Sequence, residues 1–272
     1  MKLNLTFKHS LKTLIFFGFV FCAFTNEPNK TDVSSIVFPW SSDESNLRFS
    51  RADKTDFFPL VNQFEAQENK FFCGPTSAVI VLNALRGSSS KIKKPTDPLL
   101  YRGAIDTLPK DYVPVFERYT QNKFFTEETD KIKTRNQVFG ELLDANNPSS
   151  RDYGIQLRQF HSMLKTYGLN VNLRVVSDDL ASSEIKKEII ENLKRKDDFV
   201  IVNYFRKVLK QNGSGHISPL AAYDDLTDSV LILDVNPSHQ PWVWVALDDL
   251  IAAMRTKDTL ENRGYLTVSE AQ

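Results

Sequence analysis

One cysteine stands where a loop turns into a strongly apolar helix, and this junction constrains the chain more than any other feature. Cys73, Gly74 and Pro75 follow a short polar and aromatic stretch, and Ala78, Val79, Leu82 and Leu85 then recur at helical spacing. Proline is tolerated only in the first turn of a helix, where its missing N–H costs no hydrogen bond. The pattern therefore predicts a buried helix with Cys73 at its amino end. Unpaired N–H groups there favour an anion, hence the thiolate, which is the nucleophilic form. The competing reading is a buried structural cysteine, the commoner fate of this residue.

The cysteine count bears on that choice. Lys2, Lys8 and Lys12 precede an apolar run over 14–24, the layout of a secretory signal and too short for a comfortable membrane span. Ala23 and Thr25 are small residues two apart, so the expectation is a leader over 1–25 and a single domain over 26–272. The protein would then be exported, periplasmic or secreted, with no membrane attachment once the leader is cleaved; an uncleaved anchor is the alternative. Of the two cysteines, Cys22 lies in the apolar run, where bulky Phe21 argues against lipid attachment. Cleavage leaves Cys73 alone. Exported chains usually pair their cysteines, so a lone thiol is a liability unless it acts. It also excludes a metal site built on cysteines of this chain. With 34 basic and 34 acidic residues there is no electrostatic case for nucleic acid or an anionic membrane surface.

The remaining pattern is of helices first and strands second. Residues 26–50 read as a polar extended arm. Residues 91–150 read as a surface insertion of unknown role, with short helices over 113–119 and 129–143 and a turn cluster over 144–150. A helix is predicted over 157–167 with Gly168 as its stop, a strand over 171–176, and an amphipathic helix over 178–196. Strands follow at 199–205, 216–223, 229–235, 242–245 and 264–268, with a short helix over 247–254. Short connections between successive strands imply an antiparallel sheet, and the fold class is α+β.

A cysteine nucleophile needs a base, and the base needs an orienting group. His9 lies in the leader, His161 on a helix, and His239 in an exposed turn. His216 opens a strand beside Gly213 and Gly215, which would let a substrate backbone approach, and is the candidate base. Asp234 ends the apolar run LILDV at 231–235, where a carboxylate is costly unless paired. It is either the orienting group or the start of a turn with Asn236 and Pro237. Gln67, six residues before Cys73, is either an oxyanion donor with the Cys73 N–H or an ordinary loop residue.

Taken together, FFCGPTSAVIVLNAL at 71–85, GSGHISPLAAY at 213–223 and LILDV at 231–235 resemble the phytochelatin synthase family, particularly its short prokaryotic members. DFFPL at 56–60, FVIVNY at 199–204 and the segment from Trp242 to Met254 extend the likeness over about 47–90 and 152–270. The resemblance implies a papain-like fold, with the nucleophile in an N-terminal helical lobe and the sheet in a C-terminal lobe. It implies a triad of Cys73, His216 and Asp234, Gln67 at the oxyanion, and substrate contacts from Gly74 and Gly215. Asp258 and Arg263 would bind the γ-glutamyl end of glutathione, although they stand closer together than in other members. The implied activity is transfer of γ-glutamylcysteine from glutathione to water or to a second glutathione. No cofactor is obligatory; a soft divalent metal (cadmium or zinc) would arrive as the metal–glutathione thiolate. Plant and fungal members carry a Cys-rich C-terminal half; the expectation here is the catalytic-domain-only type, and a homodimer is open. Two other readings stand beside this one: a papain-like peptidase on other peptides, and a non-enzymatic binder of glutathione or metal–thiol complexes.

Overall fold

The computed structural model describes residues 37–99, 103, 107–112 and 114–271; the expected leader over 1–25 and the start of the expected arm lie outside them. Along the chain come β1 (Val37–Pro39), α1 (Asp43–Arg51), α2 (Phe57–Val61), α3 (Cys73–Arg86), the short α4 (Glu127–Asp130) and α5 (Arg135–Val138). A small hairpin of β2 (Glu141–Leu142) and β3 (Arg151–Asp152) precedes α6 (Leu157–Lys165), β4 (Leu169–Val175), α7 (Ser182–Leu193) and β5 (Asp198–Phe205). The chain continues with β6 (Gly215–Asp224), β7 (Ser229–Ile232), β8 (Val243–Ala246), α8 (Leu247–Met254) and β9 (Gly264–Glu270).

Seven of these strands form one sheet in the order β1-β8-β7-β6-β5-β9-β4, and every pair is antiparallel. This is the expected α+β class. The last strand does not extend the row: β9 inserts between β5 and β4, pairing with both. That insertion places Arg263, just before β9, beside the start of β6.

The apolar run in β5 shows how the layers form. Phe199 and Ile201 join a core with Val79, Ile80 and Leu82 of α3 and Phe160, Met163 and Leu164 of α6. Val200, Val202 and Tyr204 face the other way, onto Ile185 and Ile189 of α7 and Leu250, Ile251 and Met254 of α8. A strand buried on both faces reads as continuous apolar sequence instead of alternating. Each fully buried Leu, Met or Phe contributes about 2 kcal/mol of transfer free energy, before the entropy of ordering it. Helices thus cover the sheet on both sides, which a simple division into helices first and sheet second does not convey.

Three expectations need correction. Residues 37–51 are not an extended arm: they form β1 and α1, the latter capped by the Ser42 side chain, which accepts from the Ser45 N–H. Arg51 of α1 grips Asp224 through two bonds of 2.7 Å, a long-range pairing that local polarity conceals. The stretch 91–150 is a surface insertion only in part. Tyr119, Phe124 and Val138 lie in the core beneath α3, and Asn83 of α3 exchanges two hydrogen bonds with the Tyr119 backbone at 2.9 and 3.0 Å. Residues 114–119 are irregular where a helix was predicted, with Val113 outside the described residues, and the helix predicted over 129–143 is replaced by α4, α5 and β2. Gly168 does end the α6 segment as its position predicts, at φ 71°.

Candidate active site

Cys73 is the first residue of α3, so its sulfur sits at the helix's electropositive end. One turn on, the Ser77 hydroxyl donates to the Ile217 carbonyl at 3.1 Å in the buried interface with β6. Ile217 follows His216 directly. This bond, with the apolar packing of α3 on β6, sets Cys73 beside the strand that carries His216. The imidazole is close enough to act on the thiol, and it lowers the thiol's pKa.

His216 Nε2 stands 3.0 Å from Asp234 Oδ1, an ion-pair distance with the N–H off the ideal hydrogen-bond line. Asp234 lies two residues beyond β7, on the hairpin that returns antiparallel to β6, and its carboxylate is wholly buried. The structure thus brings together the three groups expected to interact, in the order thiol, imidazole, carboxylate.

Their electrostatics reinforce one another. Burial pushes the Cys73 thiol up, but the hydrogen bond and charge of His216, with the backbone N–H groups of Ile217 and Gly74, leave it below the usual thiol range. Burial lowers His216, and the Asp234 carboxylate outweighs this, leaving the imidazole above its ordinary value. Burial raises Asp234, and His216, Arg206 and the Asn236 N–H more than compensate, so the carboxyl is held below the usual range. A thiolate–imidazolium pair is the protonation state that these shifts favour.

A residue that sequence reasoning missed completes the row. Arg206 Nη2 lies 2.7 and 2.8 Å from the two oxygens of Asp234, with both side chains buried. Tyr204 donates to Oδ2 at 3.3 Å, and its ring meets the His216 ring edge-on at 5.8 Å. The cost of placing Asp234 in an apolar run is met by a buried cation, which shares the carboxylate with the histidine. A signal was available: Arg206 follows the apolar run 199–205 just as Asp234 ends another, and these runs flank the strand that carries His216.

These groups open onto a cavity of about 540 Å³ that also reaches Gln67, Asp258 and Arg263. The Gln67 backbone N–H donates to Val235 O at 2.8 Å, which ties it next to Asp234. Its amide Nε2 donates to Asn69 O at 2.6 Å, leaving one N–H available. Asp258 Oδ1 pairs with Arg263 Nη2 at 3.0 Å, and Asn203 donates to Asp258 Oδ2 at 3.2 Å. Arg263 also lies over the Phe205 ring, 5.2 Å from its centre.

The two glycines differ in their placement. Gly215 lines the cavity, and a Cβ there would lie 2.8 Å from Arg263 Nη2, so the absent side chain leaves room for the guanidinium. Gly74 is buried and does not line the cavity; its N–H serves the Cys73 sulfur. His239, exposed as expected, reaches the cavity edge with Nε2 3.0 Å from Asn212 O. His161 is half-buried on α6, away from the cavity.

A reactive thiol at a helix amino end, an imidazole on a strand and a buried carboxylate behind it define a candidate cysteine-nucleophile site on an α+β scaffold. The chain belongs to the phytochelatin synthase family: the sequence model of phytochelatin synthase matches residues 29–98 and 104–265. It is similar to glutathione gamma-glutamylcysteinyltransferase 3 of Lotus japonicus, 31% identical over 217 residues that make up 79% of this chain and 37% of that protein. Glutathione gamma-glutamylcysteinyltransferase 1 of Arabidopsis thaliana is 27% identical over 236 residues, covering 85% of this chain and 41% of the relative. The enzyme of the same name from Schizosaccharomyces pombe is 30% identical over 115 residues, 42% of this chain and 28% of its own length. The chain therefore spans well under half the length of these relatives.

Proposed function

We propose that this chain is a papain-like acyltransferase and hydrolase acting on glutathione. The observation that carries the reading is the Cys73–His216–Asp234 row opening onto a cavity that also holds the Asp258–Arg263 pair. Asp258 pairs the α-ammonium of the γ-glutamyl residue, and Arg263 grips its α-carboxylate. The Cys73 thiolate attacks the carbonyl carbon of the Cys–Gly peptide bond. Gln67 and the Cys73 N–H donate to the oxyanion that forms. As the C–N bond breaks, imidazolium His216 gives its proton to the departing glycine amine. A γ-glutamylcysteinyl thioester remains on Cys73. His216, now neutral, takes a proton from water, which releases γ-glutamylcysteine, or from a second glutathione, which yields a phytochelatin.

Hydrolysis is the proposed main outcome, with transfer to a second glutathione the minor one. Soft metals such as cadmium or zinc enter as the glutathione thiolate, because soft cations prefer sulfur ligands. Export is part of the proposal, supported by the charged-then-apolar pattern over 1–25.

Incubation of the chain with glutathione, with and without cadmium, tests this reading. The expected products are glycine, γ-glutamylcysteine and a smaller amount of longer thiol peptides, with glycine equal to the sum of the acyl groups passed to water and to glutathione. Cys73→Ser should release no glycine, and mass spectrometry of the unaltered protein should find the acyl adduct. A protein whose Cys73 alkylates normally but releases no glycine overturns the assignment; an adduct without turnover makes it a binder.

A further inference from the structure

Residues 152 and 153, consecutive in the chain, touch the two ends of the cavity. Asp152 Oδ1 accepts from the Thr259 hydroxyl at 3.1 Å, and Thr259 follows Asp258. The Tyr153 ring stacks on Phe71 at 5.2 Å and 18°, and Phe71 lies two residues before Cys73. All six of these residues line the cavity.

Asp152 is itself firmly placed. Its other oxygen, Oδ2, takes the Lys133 ammonium at 2.5 Å and the Gln156 amide at 3.0 Å, and Lys133 is wholly buried. Glu141, opposite Asp152 in the β2–β3 hairpin, lies 3.7 Å from the same ammonium. The Thr259 turn closes on itself through Asp258 N–H to Glu261 O at 2.8 Å and Arg263 N–H to Thr256 O at 3.0 Å. Arg158 holds its outer edge through two bonds to Glu261 of 2.9 and 2.8 Å.

We infer that the Lys133–Asp152–Thr259 contact is a positioning unit that sets the distance between the Asp258–Arg263 grip and Cys73, and so the length of acyl donor accepted. It rests on the proposed reading of that grip. A buried ion pair alone is weak evidence of anything beyond packing. Here, though, one carboxylate oxygen is committed to the wall of the site, and the next residue braces the nucleophile's loop. A spacing fixed in this way should favour donors with a γ-linked glutamyl group over a β-aspartyl analogue, which is one methylene shorter.

Thr259→Val tests this with little risk to folding, since it keeps the side-chain shape and removes the donor. Lys133→Met combined with Asp152→Asn removes the buried charges as a pair. Hydrogen exchange of the amides of Asp258 and Arg263 reads the turn without any need for activity, and both variants should accelerate it. In the active enzyme, Thr259→Val should raise KM for glutathione about threefold to tenfold, the factor one hydrogen bond supplies, with kcat within about twofold. Its preference for glutathione over β-aspartylcysteinylglycine should narrow by a similar factor, while alkylation of Cys73 by iodoacetamide keeps its rate. Unchanged exchange overturns the inference, as does an unchanged KM and preference in an active enzyme. Should the unaltered chain release no glycine, the functional reading falls, and unchanged or accelerated exchange still decides whether this contact holds the turn.

Discussion

At the scale of single residues, the site is a row of charges in which each member alters the next. Cys73 sits low because His216 is beside it, and His216 sits high because Asp234 is behind it. The thiolate should thus persist below the usual thiol range. As pH falls it is lost when the sulfur takes a proton; as pH rises the imidazolium is lost first, and with it the acid for the leaving amine. Iodoacetamide alkylation followed against pH should show a midpoint below about 8.5, the ordinary cysteine value. His216→Ala should move that midpoint upward by removing the cation, and an unmoved midpoint would separate the two residues. Asp234→Asn has a second consequence that the triad alone does not predict. It strands Arg206, whose side chain is 3% exposed, without its counter-charge. Chemical denaturation should show a loss of about 3 kcal/mol or more, larger than for His216→Ala.

The secondary elements carry the site because each is held at its end. The amino end of α3 presents the thiol, and the start of β6 presents the imidazole. The short β7 stops at Ile232, which lets Asp234 leave the ladder and turn inward. Arg263 depends on the start of β9. Gly264 there lies so close to β4 that a Cβ would stand 2.0 Å from the Arg174 carbonyl oxygen. Gly264→Ala must separate β9 from β4 locally. The expected result is a loss of stability of about 3 kcal/mol, the upper range for overpacking, and a weakened grip on substrate, read by a thermal melt and by KM. The helix of the nucleophile, the strands of the base and carboxylate and the order of elements were legible, because apolar periodicity and turn residues act locally. The first strand and helix were not: 37–51 is polar on its outer face, and Trp242, the partner of Trp40, and Asp224, the partner of Arg51, lie 202 and 173 residues further along the chain.

In the whole molecule, one sheet covered on both faces joins distant segments into a single cavity wall. The stretch 91–150 shows how far the tertiary fold reassigns a segment with no clear periodicity. Phe124 is wholly buried against Phe160 and Tyr167 of the main core. Phe124→Ala should cost about 4 kcal/mol in a denaturant titration, whereas a residue of a surface insertion would cost little. By itself the sequence determined the helix that raises Cys73, the apolar strands of the sheet, and a histidine and an aspartate at strand ends, since each depends on neighbours within a few positions. The pairing of Asp234 with Arg206, the insertion of β9 between β5 and β4, and the support of Thr259 by Asp152 and Lys133 were decided only by the tertiary structure. Buried charges and glycine contacts of this kind depend on which strands and turns end up side by side, and spacing along the chain does not encode that proximity.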